Sequence, residues 1–209
     1  MLVAEKIRTR NLGRADYLAT LDAMRRFNAG RDAATADEFW LLEHPPVYTL
    51  GLAADPAHGP KAAGAIPVLQ VERGGEITYH GPGQLVMYTL VDLARRNLKV
   101  KRFVWLLEQS VIDLLEGRAE RKTGAPGVYV AGAKVAALGI RVSRGCAFHG
   151  LAVNVDMDLA PFGAIDPCGY PGLQVTQTRD LGIAGSVETL GAKLARILAA
   201  KLGAEPEHA

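Results

Sequence analysis

The sequence predicts an α+β fold, in which a mixed, mostly antiparallel sheet is flanked by helices. Three observations carry that expectation. Apolar residues recur at helical spacing in three separated stretches. The β-type runs between them cluster as hairpins and do not alternate one-for-one with helices, so a regular βαβ pattern is absent. The 23 glycines and 11 prolines supply tight turns between short elements.

The first helix carries Tyr17, Leu18, Leu21, Met24 and Phe27 on one face, with Gly30 as its stop. β-type runs follow as EFWLLE from Glu38, VYTLG from Val47 and PVLQVE from Pro67. Residues 53–64, rich in Gly, Pro and Ala, form the loop with least to hold it. QLVMYTLV from Gln84 is the next strand. Phe103, Leu107, Val111 and Leu114 mark the second helix before Gly117. GVYVAG from Gly127 and KVAALGIRV from Lys134 flank Ala131 and Gly132, a small residue plus glycine that reads as a hairpin turn. FHGLAVNV from Phe148 is a further strand, and LQVTQTRDLG from Leu173 reads as a short helix. The third amphipathic helix starts at the N-cap Ser186, places Val187, Leu190, Leu194 and Ile197 on a stripe and ends at Gly203.

With 209 residues and no linker, repeat or low-complexity tract, residues 1–209 are expected to form one domain. Apolar residues at 49% and charged residues at 22% exclude disorder. A net charge of +2 gives no bulk signal for nucleic acid. Two cysteines, Cys146 and Cys168, are too few for a disulfide framework, and the N-terminus MLVAEKIRTR lacks the apolar core of a secretory signal. A reducing, cytoplasmic setting is expected. No window approaches the ~18 apolar residues of a membrane span.

Phosphate loops are excluded first. GPGQLV from Gly81 begins like a dinucleotide fingerprint but has Val86 where the third glycine belongs, and no Gly-Lys-Ser/Thr triplet occurs. Cys146, His149 and Cys168 offer a C-x-x-H spacing with a distant third ligand, but a strand through CAFHGLAVNV puts Cys146 and His149 on opposite faces, so no metal is expected. The densest signal is ERGGEITYHGPGQ from Glu72. Gly74 and Gly75 let a ligand approach the backbone, a second Gly-Pro-Gly turn follows, and Thr78, Tyr79, His80 and Gln84 are polar groups held between the turns. Either a binding loop or a glycine-rich hairpin would have this pattern.

Lys134 sits among the small residues Ala133, Ala136, Ala137 and Gly139. From these residues alone, a lysine pointing to water from an edge, the common case, is favoured over a partly buried one with a depressed pKa and a chemical role. Cys168, in IDPCGYPG, is bracketed by Pro167 and Gly169 on a constrained loop, which makes it a better nucleophile candidate than the strand residue Cys146. The run RRNLKVKR has five positive charges, Arg95, Arg96, Lys99, Lys101 and Arg102, a local field suited to an acidic partner.

RGGEITYHGPGQ, GAKVAALGI, FHGLAVNVD and DPCGYPG, in that order, resemble the octanoyltransferases of lipoate synthesis, with similarity from about residue 43 to 178. The resemblance implies a biotin/lipoate protein ligase-like fold and a Cys168/Lys134 catalytic dyad. It also implies an acyl pocket made by Arg73, Gly74, Gly75, Glu76, Ile77, Thr78, Tyr79 and His80, by Ala137, Leu138 and Gly139, and by Gly150, Leu151 and Ala152. The reaction implied is transfer of an octanoyl or lipoyl group from the phosphopantetheine of acyl carrier protein, through a cysteine thioester, to a lysine on the lipoyl domain of a 2-oxoacid dehydrogenase or glycine cleavage protein. No ATP or metal is implied, and the basic run would dock the carrier. The related lipoate ligases use ATP and lack the loop cysteine.

Overall fold

The computed structural model describes residues 5–55, 58–60, 64–166 and 172–208. The first strand, β1 (Glu5–Arg14), is mostly polar, yet Ile7 and Thr9 are buried between exposed Lys6, Arg8 and Arg10. Helix α1 (Tyr17–Gly30) is capped by Asp16, whose carboxylate accepts from the Ala19 N–H, and it buries Tyr17, Leu21 and Met24. Then come β2 (Asp37–Glu43), β3 (Val47–Leu50), β4 (Val68–Gln70), β5 (Ile77–His80) and β6 (Gln84–Asp92). Helix α2 (Val100–Leu114) leads to β7 (Glu120–Lys122), β8 (Ala125–Val130), β9 (Ala133–Ser143) and β10 (Cys146–Asn154). A 3-10 turn at Ala160–Ala164 precedes α3 (Val187–Lys201), whose N-cap Ser186 accepts from the Thr189 N–H, and β11 (Ala204–His208).

The large sheet runs β11-β1-β2-β6-β10-β9-β8-β7, and β4-β3-β5 forms a small second sheet. In the large sheet β1 pairs in parallel with β11 and β2, and the remaining neighbours are antiparallel. Strands β6 and β10 are buried along almost their whole length because both faces are covered, which explains their near-continuous apolar runs. Helix α1 closes one face through Tyr17, Leu21 and Met24 against Trp40, Val86 and Tyr88. Helices α2 and α3 close the other through Phe103, Leu107, Leu194 and Leu198 against Leu85, Met87 and Leu151. The three helices lie where helical periodicity placed them, and Ala131 (φ +47) with Gly132 (φ +85) makes the expected β8–β9 turn.

Three sequence expectations change. Residues 173–182 form turns and a single parallel bridge between Val175 and Lys134 instead of a helix. Ile77–His80, within the glycine-rich loop, is a strand paired with β3. Strands β1, β7 and β11 carry too few apolar residues to stand out, and β11 contains Pro206, tolerated at an edge where no ladder N–H is needed. In the weakly held 53–64 loop, the Ala53 N–H reaches the Gly75 carbonyl and Asp55 N–H reaches Glu76 Oε2, so its described beginning is tied to the glycine loop.

The basic run is also reorganised. Asp37, with a fully buried carboxylate, receives Arg31 at 2.5 Å, Arg95 at 2.8 Å and Arg96 at 2.6 Å. Arg31 also donates to the Leu90 carbonyl and Arg96 to the Leu202 carbonyl, so the cluster ties together the ends of α1, β2, β6 and α3. Two of the five charges expected to dock a partner are therefore paired with Asp37, Arg96 half-buried and Arg95 still exposed. Lys99, Lys101 and Arg102 are exposed and lie outside that cluster. Arg102 lies 4.1 Å and Arg121 4.6 Å from the ring centre of Trp105.

Candidate active site

The glycine loop between β4 and β5 lies against β9. The Gly74 N–H donates to the Ile140 carbonyl, and the loop fits because Gly139 has no side chain: a Cβ there would come 2.4 Å from the Gly74 oxygen. A Cβ on Gly51 would come 2.1 Å from the Gly75 oxygen on the other side. Arg73 anchors the loop from beneath, its guanidinium donating to the Thr49 carbonyl at 2.6 Å, to Thr49 Oγ1 and to the Gly74 carbonyl. The loop, α1 and the sheet then border an open, mostly apolar cleft.

Arg73, Gly75–Thr78, His80, Ala137–Gly139 and Gly150–Ala152 all line this cleft. Gly74 does not; it lines a neighbouring groove against Val104 and Pro126. Tyr79 turns to the opposite side of β5, where its ring packs on Tyr48 and Phe162. The antiparallel register explains how distant motifs share one wall, since Val86, Ala152 and Ala137 are cross-strand partners, as are Tyr88, Gly150 and Gly139. Small residues at four of these six positions leave the room.

Lys134 is buried, at 3% exposure, so the solvent-edge reading fails. Its ammonium donates to the Pro126 carbonyl at 3.0 Å and lies 5.5 Å from the Tyr129 ring centre. Gly127 makes space for it, because a Cβ there would come 2.4 Å from Lys134 Cε. The backbone of Lys134 donates to the Gln174 carbonyl and accepts from the Thr176 N–H, so the chain after Gly172 runs beside it. Lys134 borders a small cavity with Gln84, Asn154 and Val175, and Thr78 and Ala137 line both this cavity and the cleft. Cys168 lies outside the described residues. Cys146 is buried on β10, and that burial pushes its thiol pKa up, away from reactivity.

The inner wall holds polar residues that the sequence did not single out as cleft-lining: Tyr17, Tyr88 and His149, with His44 behind them. His44 Nδ1–H donates to the Ala15 carbonyl, so its Nε2 must accept from the Tyr88 hydroxyl at 2.7 Å. His80 donates through Nδ1 to Gln84 Oε1, Gln84 Nε2 donates to Asn154 Oδ1, and Asn154 donates to the Thr176 carbonyl. This chain of bonds fixes the strands around Lys134. Burial pushes His80 down to about 3 and His149 down to about 4, and it lowers His44, so these imidazoles are neutral at pH 7. Burial raises the Tyr17 phenol to about 12. His149 also breaks the strand alternation that was expected to oppose it to Cys146. Its φ of +60° turns the ring onto the face of Phe148, on which it stacks at 5.0 Å. A single positive φ in a strand leaves no periodic mark in the sequence. Among the described residues, no helix is long and apolar enough to cross a membrane.

Residues 16–198 match the lipoyl protein ligase A/B catalytic domain family. Relatives named octanoyltransferase include one from Thiobacillus denitrificans, 62% identical over 86% of this chain and 83% of its own. Others come from an Azoarcus species, 56% identical over 92% and 86%, and from Dechloromonas aromatica, 53% identical over 92% and 95%. The fold is similar to a lipoate protein ligase of T. acidophilum with bound lipoic acid, at TM-score 0.78, 13% identity and coverage of 98% and 89%. It is also similar to the biotin protein ligase of Aquifex aeolicus, at TM-score 0.54, 12% identity and coverage of 95% and 70%. The mixed sheet with its glycine loop is thus the biotin/lipoate protein ligase-like architecture, and the chain belongs to the lipoyl protein ligase A/B catalytic domain family as an octanoyltransferase, an acyl-transferring enzyme.

Proposed function

We propose that the chain takes an octanoyl or lipoyl group from the phosphopantetheine thioester of acyl carrier protein, holds it on Cys168, and passes it to a lysine ε-amine of a lipoyl domain in a 2-oxoacid dehydrogenase or glycine cleavage protein. The observation that carries this reading is the buried ammonium of Lys134, in a cavity that shares Thr78 and Ala137 with the neighbouring apolar cleft. A lipoate protein ligase of similar fold, described together with its E2 lipoyl domain, supports the acceptor class.

In this mechanism the Cys168 thiolate attacks the donor carbonyl while Lys134 is an ammonium. The pantetheine thiolate leaves and takes a proton from Lys134, now a neutral amine. The acceptor amine then attacks the Cys168 thioester. The amide forms, the Cys168 thiolate departs, and Lys134 takes back the proton that the amine loses. Exchanging a thioester for an amide is downhill, so the reading needs neither nucleotide nor metal. The carrier's acidic surface would meet Lys99, Lys101 and Arg102 at the start of α2, with Arg95 and Arg96 withdrawn onto Asp37.

Intact mass after incubation with octanoyl-acyl carrier protein tests the class. An octanoyl adduct that survives Cys146→Ala and disappears with Cys168→Ala is expected. Transfer by Cys168→Ala within a few-fold of wild type overturns the covalent route, and exchange of pyrophosphate into ATP would make the chain a ligase instead. Reversing Lys101 and Arg102 should raise KM for the carrier at low salt and flatten its salt dependence. Unchanged donor kinetics would remove the patch from docking.

A further inference from the structure

His149 is 1% exposed, and neither of its ring nitrogens has a hydrogen-bond partner among the described residues. The other cleft-side imidazoles differ. His44 is bonded at both nitrogens and His80 is bonded to Gln84. A neutral imidazole carries one donor and one acceptor, and leaving both unmet in a buried place is costly. His149 lines the cleft beside Tyr17, Tyr88 and His80, so among the described residues the cleft is the side from which water or a polar ligand atom can reach it.

The register gives its place along β9. Ala137 borders both the cleft and the Lys134 cavity, and His149 is the cross-strand partner of Ile140, three residues further along β9. At ~3.4 Å per residue that is about 10 Å. An extended octanoyl chain has seven carbon–carbon bonds and spans about 9 Å from carbonyl to methyl. A chain of that length lying along β9 with its carbonyl near Ala137 would end close to the His149 position.

We propose that His149 sets the upper limit on acyl-chain length, as the polar floor of the cleft and a specificity-determining residue. This rests on the acyl-transfer reading and adds to it the residue that measures the chain. Up to about eight carbons, the chain leaves the imidazole open to water. A longer chain pushes methylenes onto the ring, shuts water out and leaves donor and acceptor unmet.

The experiment compares kcat/KM for octanoyl-, decanoyl- and dodecanoyl-acyl carrier protein, with intact mass of each acyl-enzyme, in wild type, His149→Leu and His149→Asn. Wild type should lose about tenfold or more between octanoyl and dodecanoyl donors, a difference of about 1.4 kcal/mol. Leucine, apolar and of similar volume, should bring that ratio to within about threefold. Asparagine tolerates a positive φ and keeps a donor and an acceptor, so it should keep the discrimination. Wild type offers a second readout that needs no variant: a 9-hydroxynonanoyl donor has as many chain atoms as a decanoyl donor and should be preferred several-fold, because its hydroxyl meets the imidazole. Acylation with the wild-type chain ratio retained in the leucine variant, or no preference for the hydroxylated chain, overturns the proposal alone. Absence of any acyl-enzyme in wild type overturns the acyl-transfer reading, and this proposal with it.

Discussion

Replacing Asp37 by Asn tests whether the first half of the basic run holds the fold or meets a partner. Asp37 has a fully buried carboxylate that accepts from Arg31, Arg95 and Arg96 and from the Asp92 N–H. The Arg31 and Arg96 side chains are only 3% and 8% exposed, so their charges cannot turn to water without moving the chain. Removing one member of a buried charge network costs about 3–5 kcal/mol, most of it from the cations left uncompensated. Arg95, 26% exposed, adds little. At about 2–4 °C per kcal/mol for a chain of this size, the midpoint should fall by about 6–20 °C. Urea and thermal unfolding of Asp37→Asn, Arg95→Ala and Arg96→Ala measure this directly. Arg96→Ala should also destabilise by more than 1 kcal/mol, and Arg95→Ala by less. Kinetics with the carrier at temperatures where each variant is folded should show a normal donor KM. A loss below about 1 kcal/mol in Asp37→Asn, or a raised KM in a fully folded Arg96→Ala, would refute a structural role for this ion-pair cluster.

Gly127→Ala would drive a methyl into Lys134 Cε and the Ala136 carbonyl at a φ of +144°, so it should cost about 2–3 kcal/mol of stability and reduce transfer by more than tenfold in the folded fraction. Normal turnover there would show that the ammonium does not need its seat. Lys134→Arg keeps a cation but no base near neutral pH, so it should retain iodoacetamide labelling of Cys168 at pH 7 and lose transfer by orders of magnitude, while Lys134→Ala loses both. Near-normal transfer by the arginine variant would remove the proton shuttle. His80 and His149 are held at about 3 and 4, below the ordinary 6.5, so on acidification the unfolded chain binds protons that the folded chain refuses. Stability is therefore complete above pH 6.5 and falls as pH drops toward 4, by about 3 kcal/mol for the pair between pH 6.5 and 5. Urea titrations at the two pH values should show that His149→Asn removes about half of that loss, and an unchanged loss would refute the linkage.

The three helices, the central strands and the β8–β9 turn were legible in the sequence because each depends on neighbours within a few residues. Examples are the stripe from Tyr17 to Phe27, the Ser186 cap and the apolar run of β6. The glycine loop and Lys134 were legible as types of residue in an unusual setting, but their meaning was not. Only the fold packs the Gly74–Gly75 backbone between Gly51 and Gly139, and only the fold buries Lys134 beside Gly127. The polar strand β1 is held by parallel pairing with β2 and β11, segments far apart in the chain. Arg95 and Arg96 look like surface charge until Asp37, 58 and 59 residues away, is placed between them. His149 reads as an ordinary strand residue until its backbone turns it into the cleft. Periodicity and capping report where a residue sits relative to its own element. Burial, ion pairing and the depth of a cleft depend on contacts between elements, whose free energy exists only once the sheet has closed.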